Sequence, residues 1–224
     1  MERLVLNQKA FFTSLKEVEE FQKKIDKYKN DIIVIPSNIY LENYIKKGYK
    51  VGSQDVSDYK SGPHTGEVCA KALKDLKVSY VLVGHSEIRE KNKLSQEEII
   101  SKIRRCLEEK LNIILCVGES LKDKECMNTF KVIDNQLDGI DKEIIISYEP
   151  IWSIGSGLIP SYKEIMNTIN YIKSKGFKKV LYGGSINEQT ISELKNMSEL
   201  DGFLVGSASV NFENVIKMIE VLSE

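Results

Sequence analysis

The chain has 224 residues, 42% of them hydrophobic, and its 33 acidic and 32 basic side chains leave a formal net charge of −1. So balanced a charge excludes a general nucleic-acid binder, and any site that attracts an anion must do so locally. The length admits one or two ordinary domains, but α/β barrels of this size form one, and with no linker-like stretch residues 1–224 are expected to make a single domain.

Short apolar, β-rich runs recur at Leu4–Leu6, Ile32–Ile35, Tyr49–Gly52, Tyr80–Val83, Ile113–Val117, Ile144–Tyr148, Val180–Gly183 and Gly202–Val205. Between them lie segments of helical period, three of which open on capping boxes, Ser14-x-x-Glu17, Ser95-x-x-Glu98 and Ser161-x-x-Glu164. Alternation of this kind implies parallel strands joined by crossover helices. Eight units close most economically into a (β/α)8 barrel, with an open doubly wound sheet as the alternative. In a barrel the C-terminal ends of the strands face one mouth, and the loops that follow them build the site. Asn7 and Lys9 follow the first run, His85 the fourth, Glu149 the sixth, Ser185 the seventh and Gly206 the eighth, so the periodicity alone brings five units to one opening.

The most informative stretch runs from Ile144 through Glu149 and Pro150 to Gly157. Its first part is β-branched and apolar, as a strand covered on both faces requires, and Pro150 bars the ladder from continuing past Glu149. A carboxylate is thereby set at the end of a buried strand, beneath an apolar loop that carries Trp152 and Ile154. That is a suitable place for a base, and closing such a loop would expel water from it. Pro150 to about Ser161 reads as the lid, and Pro160 should stiffen its second hinge.

Cys69, Cys106, Cys116 and Cys126 show no C-x-x-C spacing and no neighbouring histidine, so they read as free thiols and no metal site is expected. The N-terminus lacks the apolar core of a secretory signal, and no run approaches the roughly 18 apolar residues of a membrane span. A cytoplasmic protein that engages neither membrane nor nucleic acid is expected.

Four runs, Gly84-His85-Ser86-Glu87, Glu149-Pro150-Ile151-Trp152-Ser153-Ile154-Gly155-Ser156-Gly157, Tyr182-Gly183-Gly184-Ser185 and Gly202-Phe203-Leu204-Val205-Gly206, resemble the motifs of the triosephosphate isomerase family in the same chain order. The resemblance extends from Asn7 to about Val210. It implies an aldose–ketose isomerase that interconverts dihydroxyacetone phosphate and glyceraldehyde 3-phosphate through an enediolate, with no cofactor. It further implies Glu149 as base, His85 as a neutral electrophile, Asn7 and Lys9 beside the enediolate, and the amides of Gly155, Ser185, Gly206 and Ser207 around the phosphate. Glu87, Ser86 and Tyr182 match the layer behind these, and Glu87 is the carboxylate that would hold Lys9. The loop Asp55–Glu67 resembles the family's interface loop, whose Thr65 would reach a partner's Asn7 and Lys9, so a homodimer is implied, with a homotetramer as the alternative. The chain departs from the family pattern at Gln8 and Ala10, at Ile88 where an arginine would pair with the partner's Glu67, at Leu158-Ile159-Pro160, and at Ser207. A different phosphosugar isomerase, or a barrel that binds phosphate ligands without catalysis, are the rival readings.

Overall fold

Each of the eight apolar runs forms a strand, and all pair in parallel in sequence order until β8 closes on β1. The structure is a computed structural model and describes residues 3–156 and 158–224. In chain order the first half comprises β1 (Leu4–Asn7), α1 (Leu15–Ile25), β2 (Ile32–Ile35), α2 (Leu41–Lys46), β3 (Lys50–Ser53), α3 (Ala70–Asp75), β4 (Tyr80–Val83), α4 (Ser86–Asn92) and α5 (Gln96–Glu108). The second comprises β5 (Asn112–Val117), α6 (Leu121–Glu125), α7 (Thr129–Leu137), β6 (Ile145–Tyr148), α8 (Tyr162–Ser174), β7 (Val180–Tyr182), α9 (Glu188–Leu194), β8 (Gly202–Val205) and α10 (Phe212–Ser223). The barrel expected from the alternation is therefore the fold, and the open sheet is not.

The side chains sort by the period of two that strands impose. Leu4 and Leu6, Val81 and Val83, and Ile146 and Tyr148 face outward into the layer shared with the helices. Val5, Ile33, Leu82, Ile114, Cys116, Ile145, Leu181 and Leu204 fill the barrel interior. On β6 the same alternation carries inward from Ile145 to Ser147 and then to Glu149, both buried. The fold thus aims Glu149 at the lumen before any site chemistry is considered.

Local chemistry fixes where the helices begin. The capping boxes at Ser14, Ser95 and Ser161 are all formed, and a fourth at Ser120 uses Asp123 in place of the usual Glu or Gln. Among the described residues no helix is long and apolar enough to cross a membrane. All four cysteines are free.

Candidate active site

A cavity of about 240 Å³ opens at the C-terminal mouth of the barrel, lined among others by Asn7, Lys9, His85, Glu149, Gly155, Ser185, Gly206 and Ser207. Every residue expected to touch a ligand faces this one space. Glu87, Ser86 and Tyr182 stand behind it, and Tyr182 belongs to the outward layer of β7.

Glu149 follows β6 directly, and its N–H still bonds the Val117 carbonyl at 2.8 Å, which anchors the residue to β5 before Pro150 turns the chain. Two glycines make room for it. A Cβ on Gly118 would lie 1.8 Å from the Glu149 carbonyl oxygen, and one on Gly183 would lie 2.5 Å from Glu149 Cγ, so neither position accepts a side chain. The carboxylate is only 2% exposed, and both of its oxygens lack a hydrogen-bond partner. A buried carboxylate without donors is costly to keep. It is also unencumbered, as a base awaiting a proton must be. Cys116 lies beside it, and burial, with the nearby Glu149 charge, pushes that thiol well above its ordinary range.

His85 caps α4, its Nδ1 accepting the Glu87 N–H at 3.3 Å. A ring nitrogen that accepts carries no proton, so the hydrogen of the neutral ring sits on Nε2. Nε2 lies 3.4 Å from Glu149 Oε2, on the cavity side. The helix start thus sets the tautomer and aims an N–H donor at the space above Glu149.

Lys9 sits in the left-handed region, φ 47°, which is uncommon for a residue with a side chain. Three contacts hold it there. Its N–H donates to Asn7 Oδ1 at 3.2 Å, its carbonyl accepts from Gln54 Nε2 at 2.7 Å, and its ammonium lies 2.5 Å from Glu87 Oε1. Asn7, the last residue of β1, is pinned in turn by Ser209, whose hydroxyl donates to the Asn7 carbonyl at 3.0 Å. Gln8 between them is 1% exposed, its side-chain amide beside the buried Tyr44 hydroxyl without a hydrogen bond of normal geometry. The structure offers no account of its presence there.

The lid starts as a 3₁₀ turn over Ile151–Ser153. Trp152 donates its indole N–H to Glu119 Oε1 at 2.8 Å, and Lys124 Nζ stands 3.7 Å above its ring. Burial raises the Glu119 carboxyl above the usual range. Ile154 turns to the cavity, while Leu158 and Ile159 at the second hinge are exposed. Gly157, expected to close the lid motif, lies outside the described residues.

Several of these supports carry no sequence motif of their own. Arg89 folds back to donate to the carbonyls of Gly84 at 2.7 Å and Cys116 at 3.3 Å, tying α4 to the strand ends beneath the site. Burial lowers its pKa from the ordinary value. Gln54, Glu119 and Ser209 were equally silent, because each acts on a residue far away in sequence.

Comparison with known proteins agrees with this geometry. The family model described as Triosephosphate isomerase matches residues 3–222. The chain is 39% identical over 190 residues to the triosephosphate isomerase of Wolbachia sp. subsp. Brugia malayi, covering 83% of this chain and 78% of that one. It is 36% identical to that of Buchnera aphidicola subsp. Cinara cedri over 93% of both chains, and 34% identical to that of Aquifex aeolicus over 98% of this chain and 99% of the relative.

Proposed function

The chain belongs to the triosephosphate isomerase family, and from that membership we propose how its residues divide the work of interconverting dihydroxyacetone phosphate and D-glyceraldehyde 3-phosphate. Glu149 takes a proton from the carbon beside the substrate carbonyl. The electron pair moves into the new carbon–carbon double bond, and negative charge collects on the carbonyl oxygen. His85 Nε2–H donates to that oxygen, with Asn7 beside it. The Lys9 ammonium supplies positive charge where it develops, and a preorganised donor of this kind is typically worth about 2.7–4 kcal/mol in the transition state. His85 then passes a proton from the neighbouring hydroxyl to the former carbonyl oxygen, so that the new carbonyl forms on the carbon that lost its proton, and return of the proton from Glu149 to the former carbonyl carbon completes the isomerisation.

The observation that carries this reading is the meeting of a partnerless buried carboxylate and an N–H aimed across 3.4 Å of the same cavity. The amides of Gly155, Ser185, Gly206 and Ser207 are assigned to the phosphate, as loops after the last two barrel strands often are. A cavity of about 240 Å³ is smaller than the roughly 300–1,000 Å³ usual for drug-sized ligands. That favours a triose over a larger sugar phosphate.

A homodimer completes the proposal. The segment 60–67, Thr65 included, is almost wholly exposed, and Phe11 and Ile39 stand exposed on the neighbouring loops, Ile39 by 75%. Burying these between two copies removes apolar surface from water and orders a polar loop that a lone subunit leaves bare. A cytoplasmic setting is proposed with it. The deciding experiment is an assay coupled to consumption of the product triose phosphate, run in both directions. Failure to turn over either triose phosphate would sink the assignment, and faster turnover of a larger sugar phosphate would replace it.

A further inference from the structure

The 3₁₀ turn of the lid ends on Ser153, whose side chain is fully buried and has no part in the proton transfer described above. Its hydroxyl nevertheless has two partners. Oγ accepts the backbone N–H of Ser185 at 3.2 Å and donates to the Leu158 carbonyl at 2.8 Å. Ser185 returns the contact, its own Oγ donating to the Ser153 carbonyl at 2.7 Å. One hydroxyl therefore joins the first hinge of the lid, its second hinge and the loop after β7.

A backbone amide has one hydrogen to donate. The Ser185 N–H cannot serve both Ser153 and a phosphate oxygen at full strength. A replacement partner for the displaced hydroxyl lies close by. A Cβ on Gly184 would meet Tyr182 Oη at 2.2 Å and Ser153 Oγ at 3.1 Å, so both hydroxyls press on the same stretch of backbone. Tyr182 Oη is buried, with the Ser153 hydroxyl beside it but no hydrogen bond of normal geometry between them, an arrangement that is costly unless a second state of the site completes it.

We propose that Ser153 is a positioning residue that couples phosphate binding to lid movement. In the empty site its hydroxyl stands in for a phosphate oxygen at the Ser185 amide. An arriving phosphate takes that N–H, and the displaced hydroxyl gives up Leu158 as it turns toward Tyr182, so the second hinge is released when the ligand is in place. The inference rests on the phosphate role assigned above to the loop amides.

The test is calorimetric titration of inorganic phosphate into the full-length wild type, Ser153→Ala and Ser153→Cys, with thermal unfolding to confirm that each variant folds. Without a hydroxyl to displace, Ser153→Ala should bind phosphate about two- to tenfold more tightly, the equivalent of one net hydrogen bond. Ser153→Cys, which keeps the shape with a weak acceptor, should fall between. KM for triose phosphate should drop in step while kcat does not rise, because product release then meets a closed lid that opens less readily. The Ser185 amide should exchange faster in the empty variant than in the empty wild type. A hydroxyl that merely braces the lid predicts the opposite sign, with weaker phosphate binding and a higher KM. Unchanged or weaker phosphate affinity in a folded, active Ser153→Ala variant overturns the coupling and leaves the isomerase reading standing. A wild type that neither isomerises trioses nor binds phosphate overturns both.

Discussion

The Lys9 ammonium lies 2.5 Å from Glu87 Oε1, joining the loop after β1 to the first turn of α4 across half of the barrel mouth. The same turn carries His85 at its cap, so one short helix start fixes both the positive charge and the N–H donor. Lys9 in turn adopts a backbone conformation that few residues with side chains tolerate. Such a conformation persists only where its surroundings over-determine it, and it is commonest at functional sites.

Removal of the ammonium should therefore cost catalysis far more than stability. Lys9→Met is expected to lower kcat by about a hundred- to a thousandfold, while Glu87→Gln, which leaves the ammonium present but less firmly held, should cost less. Steady-state kinetics of the two variants, with thermal unfolding as the control for folding, provides the check. Equal losses in both would mean that Glu87 contributes more than an anchor for Lys9.

Glu149 is the sharper test of geometry. Gly118 leaves room for its carbonyl and Gly183 for its side chain, and Glu149→Asp would withdraw the carboxylate by one methylene from the position they allow. A misplacement of about 1 Å costs roughly a hundredfold, so kcat should fall by at least that much with the fold intact. Near-normal turnover of the Asp variant would transfer the role of base to another group.

The strands were legible because fully buried parallel strands are written as β-branched runs. Ile32–Ile35, Tyr80–Val83 and Gly202–Val205 begin and end in the structure where the runs do. The other five strands shift by one residue at an edge or, for β3, at both, as at β1, where polar Asn7 still pairs with Ile35. Apolar character cannot reveal a strand that ends on a side chain chosen for chemistry. Asn7, His85, Glu149 and Gly206 were legible because each sits at or just past the end of a run, whereas Gly155 was legible only through the resemblance of the lid to the family's motif. Their supports were not. Arg89 bends back across its own helix start, Gln54 reaches Lys9 from 45 positions away, and Ser209 reaches Asn7 from 202 positions away. The contacts of Gln54 and Ser209 exist only once the barrel has closed. Gly118 is the same kind of omission, its need for glycine being set by the Glu149 carbonyl just past the next strand.

Trp152 is the chain's one tryptophan, which makes the lid its own reporter. The indole is held by Glu119 from one side and Lys124 from another, and lid movement on ligand binding must break or re-aim both contacts. Saturation with a phosphorylated transition-state analogue should change the tryptophan emission and slow amide exchange across Trp152–Ser156. Unaltered emission and exchange at saturation would show a lid already locked, with Pro160 the first suspect.

Glu164 supplies a pH dependence that is separate from catalysis. Its carboxylate pairs with Lys124 at 2.9 Å and accepts the N–H and hydroxyl of Ser161 at the start of α8. Lys124 first, then Ser161, lowers its pKa from the ordinary 4.5 to about 2. Folding thus favours the ionised form, so the contribution is complete above pH 4.5 and lost as pH falls toward 2. Because the group is about half exposed, solvent screening keeps the effect small. The unfolding midpoint of Glu164→Gln should lie below that of the wild type at neutral pH, and the gap should close as pH drops through this window. A gap that stayed constant with pH would mean the ion pair contributes nothing.

Assembly is the remaining test, and the exposed segment 60–67 is its focus. Tyr59 and His64 stack at 3.5 Å, which gives the loop a folded base while its tip stays bare. Gln54, just ahead of this loop, holds the Lys9 carbonyl, so whatever orders the loop also steadies the site. Ile88 stands where the family pairs an arginine with the partner's Glu67. Losing one interfacial ion pair need not weaken association, because the desolvation of such a pair often cancels its gain. The dimer is therefore expected to persist on apolar burial at Phe11 and Ile39, with affinity little changed by added salt. Light scattering coupled to size exclusion at micromolar concentration should give twice the subunit mass of 25.5 kDa. Ile39→Lys, which puts a charge into that face, should shift the equilibrium toward monomer and lower activity in proportion. A fully active species at the subunit mass would remove the partner from the mechanism, and a species at four times that mass would point to a second interface.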